Sequence, residues 1–183
     1  MGKNSSLREK AQIMDSAAMR RAIARISFEI IERNRGTENV CIVGIMSRGV
    51  QLAQRIAAKI EEVEGQNVPV GFVDISYFRD DGRTPAEGDR TSIPFSMEGK
   101  KIILVDDVIY TGRSVRAAID ALMSRGRPEN IQLATLVDRG HRELPIRADY
   151  IGKNLPTSAE ETVQVLVEER DGEDRVIILE EDK

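Results

Sequence analysis

The sequence has no tryptophan, a single cysteine and a single histidine in 183 residues. One cysteine excludes an internal disulfide framework. Cys41 stands in an apolar run and reads as core, which suits a reducing compartment. The lone histidine, His141, argues against a catalytic triad and against a His-rich metal site. No apolar run is long enough to cross a bilayer, and the N-terminus lacks the apolar core of a signal peptide. A cytoplasmic protein with no membrane partner is therefore expected. Basic charge is not in excess, since the net charge is −4. Nucleic acid would have to meet a local basic patch rather than a global field. Neither G-x-x-x-x-G-K-[ST] nor G-x-G-x-x-G occurs, which removes the P-loop and the dinucleotide fingerprint.

What is present centres on Lys101 to Met123. Ile102, Ile103, Leu104 and Val105 form a buried-type strand. Asp106 and Asp107 follow at once, then the turn Thr111-Gly112-Arg113-Ser114. Val115, Ala118, Ile119, Leu122 and Met123 recur at helical spacing, and Ser114 or Thr111 is placed to cap that helix. A small loop entering a helix points N–H groups outward where the helix dipole is positive, so it can take a phosphate. Gly112 lets the backbone come close. The two aspartates would repel the same phosphate. They suit hydroxyl donors, a cation, or positive charge developing in a reaction. A phosphate on one side and hydroxyls on the other describe a sugar phosphate.

The rest of the chain reads as an α/β fold, a mainly parallel sheet flanked by helices in one domain over residues 15–183. Met1 to Met14 is expected to be a flexible lead-in. Asp15 or Ser16 can cap a helix to about Arg33, with Met19, Ala22, Ile23, Ile26 and Ile30 as its apolar stripe. Val40 to Ile45 is a strand. The turn Met46-Ser47-Arg48-Gly49 then opens a second amphipathic helix, and this could hold another anion with Arg48 as a clamp. Val68 to Ile75 is the next strand and completes a βαβ unit. Ser76 to Pro94 is a long polar loop with Arg79, Arg83 and Arg90, the form of a lid. Ile131 to Val137 is a strand ending in Asp138-Arg139-Gly140-His141-Arg142. Tyr150, in a short extended segment, is either a platform for a flat base or a core tyrosine. Thr162 to Val167 and Val176 to Leu179 read as a terminal hairpin.

The block VDDVIYTGRS resembles the phosphoribosyl-diphosphate (PRPP) loop of type I phosphoribosyltransferases. LVDRGHRELPIRADYIGKNLPTS is similar to the pyrimidine operon attenuation regulator/uracil phosphoribosyltransferase family (PyrR). The resemblance implies the type I fold with a flexible lid and a C-terminal hood. It implies transfer from PRPP to uracil, giving UMP and pyrophosphate with Mg2+, and UMP-dependent binding of the pyrimidine operon's leader mRNA. UMP and UTP are the implied effectors. Asp106, Asp107 and Arg79 are the implied catalytic residues. The PRPP loop runs through Leu104, Val105, Asp106, Asp107, Val108, Ile109, Tyr110, Thr111, Gly112, Arg113, Ser114, Val115 and Arg116. Ser47, Arg48 and Gly49 match the pyrophosphate loop. Asp138, Arg139, Tyr150 and Ile151 lie around the base. Arg25, Arg33, His141, Arg142, Arg147 and Lys153 could form one face for RNA, doubled in a homodimer or homotetramer. Relatives often carry Thr and His where this chain has Ala24 and Phe28. Alternatives are a transferase for another base such as hypoxanthine, and a nucleotide sensor without turnover.

Overall fold

The computed structural model describes residues 6–46, 48–85 and 88–182. Helix α1 (Ser16–Asn34) starts at Asp15, whose carboxylate accepts the Ala18 N–H at 2.8 Å. Strand β2 (Val40–Ile45) is buried throughout and leads into α2 (Gly49–Glu64) and β3 (Val70–Val73). Strand β4 (Lys101–Ile109), helix α3 (Arg113–Met123), β5 (Asn130–Asp138) and β6 (Tyr150–Asn154) follow. The five strands form a parallel sheet in the order β3-β2-β4-β5-β6. Ile42, Ile103, Val105 and Leu136 pack with α1 and α2 on one face. Val43, Ile102, Leu104 and Leu133 pack with α3 on the other.

Residues 7–14 are not a loose lead-in. They form strand β1 (Leu7–Met14), paired antiparallel with β8 (Arg175–Glu181). Its mostly exposed residues hid this from an apolar-pattern reading, because the strand lies at the edge of a small sheet, β1-β8-β7. Strand β7 (Thr162–Leu166) and β8 make the expected hairpin, with the short helix α4 (Glu168–Asp171) between them. Arg55 on α2 clamps this hood by pairing with Glu169 and Asp174 at 2.5 and 2.8 Å.

The chain steps from β2 outward to β3, then returns to place β4 on the other side of β2. Ligands in open α/β sheets collect beyond the strand ends at such a reversal. The turns after β2 and β4 both open there.

Candidate active site

Strand β4 is longer than the apolar run suggests, and both aspartates lie within it. Its pairing with β2 stops at Val105, opposite Gly44, while pairing with β5 continues to Ile109, opposite Asp138. Asp106 and Asp107 therefore stand where one flank of the strand has opened. Asp106 is buried, at 8% exposure, and accepts the Asp107 N–H at 2.9 Å. Asp107 is half-buried and accepts the Val108 N–H at 2.7 Å. Burial first, and the neighbouring Asp107 second, push the Asp106 carboxyl well above the ordinary carboxylate range.

The helix after this turn is not capped by a side chain. Gly112 is the N-cap residue, at φ 91°, and Ser114 lies inside α3. Thr111 Oγ1 accepts only the Arg113 N–H, at 3.3 Å. The intrahelical ladder begins with Arg116 N–H to the Gly112 carbonyl at 2.9 Å. The first-turn amides thus point at a small cavity of about 120 Å³ lined by Asp106, Tyr110, Thr111, Gly112 and Ser114. Leu104 and Val105 are buried strand residues behind it, and Ile109 and Val115 seal its floor. An anion cradle and the Asp106 carboxyl share one cavity wall, with Asp107 next along the strand.

The lid segment is pinned at its base. Phe72 bridges Ser92, and Asp74 pairs with Arg90 at 3.0 Å. Burial would raise the Asp74 pKa, but bonds from Ser76 and Arg90 outweigh it and bring it to about 2. Asp80 reaches Arg113 at 2.5 Å, Arg113 also holds Glu143 at 2.7 Å, and Arg116 Nη2 donates to the Phe78 carbonyl. Arg79 pairs with Asp81, two residues on, at 2.6 Å, so its charge is spent within the loop. Ser47 lies outside the described residues. Arg48 does stand between β2 and α2, but it is held by Asp171 at 2.7 Å. Gly49 opens α2 so close to β4 that an added Cβ would lie 2.5 Å from the Val105 carbonyl oxygen.

The expected base contacts divide. Asp138 ends β5 beside Ile109, binding the Gly140 N–H at 3.0 Å and Arg142 at 2.6 Å. Arg139 is buried and donates to Thr157 Oγ1 and to the carbonyls of Ser158 and Glu161. Tyr150 lies elsewhere. It is 2% exposed, its hydroxyl bonds Gln132 at 2.5 Å, and it pairs with Ala134 well before the strand ends. It is a core tyrosine and offers no ring face to a ligand. The aromatic beside the Thr111–Ser114 turn is Tyr110, flanked by Arg139 at 4.0 Å and by His141 edge-on at 5.6 Å. The Ile151 carbonyl is taken by Arg25 at 3.1 Å.

The cations expected on one face have different partners. Arg25 binds the Gly152 carbonyl at 2.6 Å and Glu29 at 3.0 Å, and Arg33 pairs with Asp149 at 2.7 Å. His141 Nε2 meets the Thr157 carbonyl, and Arg142 holds the Ile146 and Tyr110 carbonyls. Arg147 and Lys153 are exposed, with no side-chain partner among the described residues. Arg25 and Lys153 do meet, in a groove of about 320 Å³ that Arg21 also lines. Ala24 faces a different cleft, against Arg55 and Ala58, and Phe28 is 52% exposed. No three acidic, His or Cys side chains converge on a metal position among the described residues. Likewise no helix there is long and apolar enough to cross a membrane.

Comparison with known proteins agrees with this geometry. The family model described as a phosphoribosyl transferase domain matches residues 9–170. A "Bifunctional protein PyrR" from Pelotomaculum thermopropionicum is 60% identical over 176 residues, covering 94% of this chain and 97% of that protein. Another of that name from Thermus aquaticus is 57% identical over 180 residues, covering 96% and 99%. Among solved structures, a hypoxanthine phosphoribosyltransferase from Trypanosoma cruzi with its product IMP superposes with a TM-score of 0.73. That match has 15% identity and covers 94% of this chain and 91% of the other.

Proposed function

Since this chain belongs to the phosphoribosyltransferase domain family, and within it to the bifunctional PyrR proteins, we propose that it joins two tasks. It transfers ribose 5-phosphate from PRPP to uracil, releasing pyrophosphate, and with UMP bound it attaches to pyrimidine-operon leader mRNA and promotes attenuation. The observation that carries the enzymatic half is the shared cavity of Asp106 and the Thr111–Ser114 turn.

In this reading the amides of the turn hold the 5-phosphate, and Asp106 and Asp107 take the 2- and 3-hydroxyls. The bond from ribose C1 to pyrophosphate breaks with its electron pair leaving on oxygen, and C1 gains oxocarbenium character. Uracil N1 closes on C1 and passes its proton to the departing pyrophosphate. A carboxylate held out of water gains most when positive charge appears beside it, so the pair favours the transition state over the ground state. Arg48 would meet the departing diphosphate, and Arg79 and Arg83 would join it on leaving Asp81 as the lid closes. Mg2+ fits as a group carried by the substrate's own oxygens beside Asp106 and Asp107, where it would neutralise the leaving pyrophosphate.

The regulatory half uses the groove of Arg21, Arg25 and Lys153, with Arg147 outside it. Such cations track phosphates, and an exposed Phe28 can stack on a splayed base. A homodimer or homotetramer would double the surface. A reduced cytoplasm suits the single buried thiol of Cys41.

One pair of assays tests both halves. Asp107→Asn should keep the native circular dichroism spectrum yet lose most uracil-dependent pyrophosphate release. Wild-type turnover would refute the role. Leader RNA should bind filters better with UMP than without, and equal binding would leave only the enzyme. Competition between uracil and hypoxanthine in the first assay identifies the base.

A further inference from the structure

The hood reaches the active site through one ion pair. Arg48 leaves β2 at the mouth of the site, and its Nε and Nη2 donate to Asp171 Oδ2 and Oδ1 at 3.1 and 2.7 Å. Both side chains are largely covered, at 23% and 15% exposure. Asp171 does not depend on Arg48 for its place. Its Oδ2 accepts the Val167 N–H at 2.8 Å, and α4 is fastened to α2 by Arg55 through Glu169 and Asp174. The carboxylate is thus a fixed point, and the guanidinium conforms to it.

A side-on pair uses one edge of the guanidinium fork and fixes its plane. The Nη1 corner has no partner among the described residues. Arg48 directly precedes Gly49, where an added Cβ would lie 2.5 Å from the Val105 carbonyl oxygen and 3.5 Å from Asp106 Cα. The residue with the free corner is therefore held next to the strand that carries both aspartates.

We infer that Asp171, on the C-terminal hood, is a positioning residue that aims Arg48 at the diphosphate of the substrate. This rests on the reading of the Ser47–Gly49 turn as the pyrophosphate site. A long side chain fixed beforehand loses little freedom on binding, so Asp171 strengthens substrate binding without touching substrate.

Steady-state kinetics with PRPP, on five variants of the full chain, tests this. Asp171→Asn should raise KM for PRPP about tenfold and leave kcat within about twofold. Asp171→Ser, whose hydroxyl can still accept the Val167 N–H, should do the same and guards against a folding defect in the first. Arg55→Met removes one of the two ties on Asp171 and leaves the Val167 N–H bond in place, so it should lower the melting temperature and raise KM by less than Asp171→Asn does. Arg48→Met should raise KM at least as much as Asp171→Asn, and the double variant should be no worse than Arg48→Met alone. If Arg48→Met raises KM and neither Asp171 variant does, positioning is overturned while the pyrophosphate reading stands. If Arg48→Met leaves KM unchanged, that reading fails and takes the inference with it. A lower KM in Asp171→Asn would mean that Asp171 sequesters Arg48, which also overturns it. A KM rise in Arg55→Met equal to that of Asp171→Asn would reduce the effect to general loosening.

Discussion

The guanidinium carbon of Arg139 lies 4.0 Å from the centre of the Tyr110 ring. The same group holds Thr157, Ser158 and Glu161. One buried cation therefore joins Tyr110, beside the Thr111 turn, to the segment that leads into the hood. A lysine has the charge but neither the flat face nor the fork. Arg139→Lys should lower unfolding stability by about 2–3 kcal/mol, from lost charged hydrogen bonds and the ring contact. Urea unfolding measures it, and a loss below about 0.5 kcal/mol would show that these bonds are idle.

The parallel sheet was legible because VCIVGI and IILV are buried on both faces and so read as unbroken apolar runs. The Thr111 turn was legible because its pattern is local: strand, acids, glycine, helix. Relationships that join distant residues were not. Asp171 and Arg48 are 123 positions apart, and nothing in the residues near either one announces the pair. Strand β1 was hidden because an edge strand with one wet face has no apolar run to show. Tyr150 was open between platform and core, and only the sheet register decides it, by setting the ring opposite Ala134 rather than at the strand end.

Glycine at position 44 is required by a neighbour, not by its own backbone angles. A Cβ there would collide with the Gly49 carbonyl oxygen and come within 2.7 Å of Val50 Cα. Backbone cannot rotate out of the way as a side chain can. Gly44→Ala should push the start of α2, with Arg48, away from β2, lowering stability by about 1–3 kcal/mol and raising KM for PRPP. Unchanged melting and kinetics would show that β2 and α2 can separate freely.

Lys153 is exposed, unpaired among the described residues, and beside Arg21 and Arg25 in one groove. A cation in that state contacts phosphate without reading sequence. Lys153→Gln should weaken leader RNA binding at low salt. It should also reduce the slope of log affinity against log salt by about 1, since one fewer counterion is released. An unaltered slope would place the RNA elsewhere. The PRPP kinetics of this variant should match wild type, because Lys153 does not line the cavity at the Thr111 turn.

Asp106 sets activity against stability. Its carboxyl is raised well above the ordinary range because burial, then Asp107, disfavour its charge. A group whose folded pKa lies above its unfolded value makes the fold lose stability as pH rises between the two. Asp106→Asn removes that charge, and the amide oxygen can still accept the Asp107 N–H. The variant should therefore melt higher than wild type at neutral pH, by about 1 kcal/mol or roughly 3 °C, while losing most of its turnover. The gain should shrink as pH falls and vanish in acid below about pH 3, where the wild-type carboxyl is itself neutral in both states. Calorimetry across pH reads this directly. A variant that melts lower at neutral pH would mean that the carboxylate contributes more through its bonds than it loses through burial. In that case the carboxyl held out of water for the transition state would have to be Asp107.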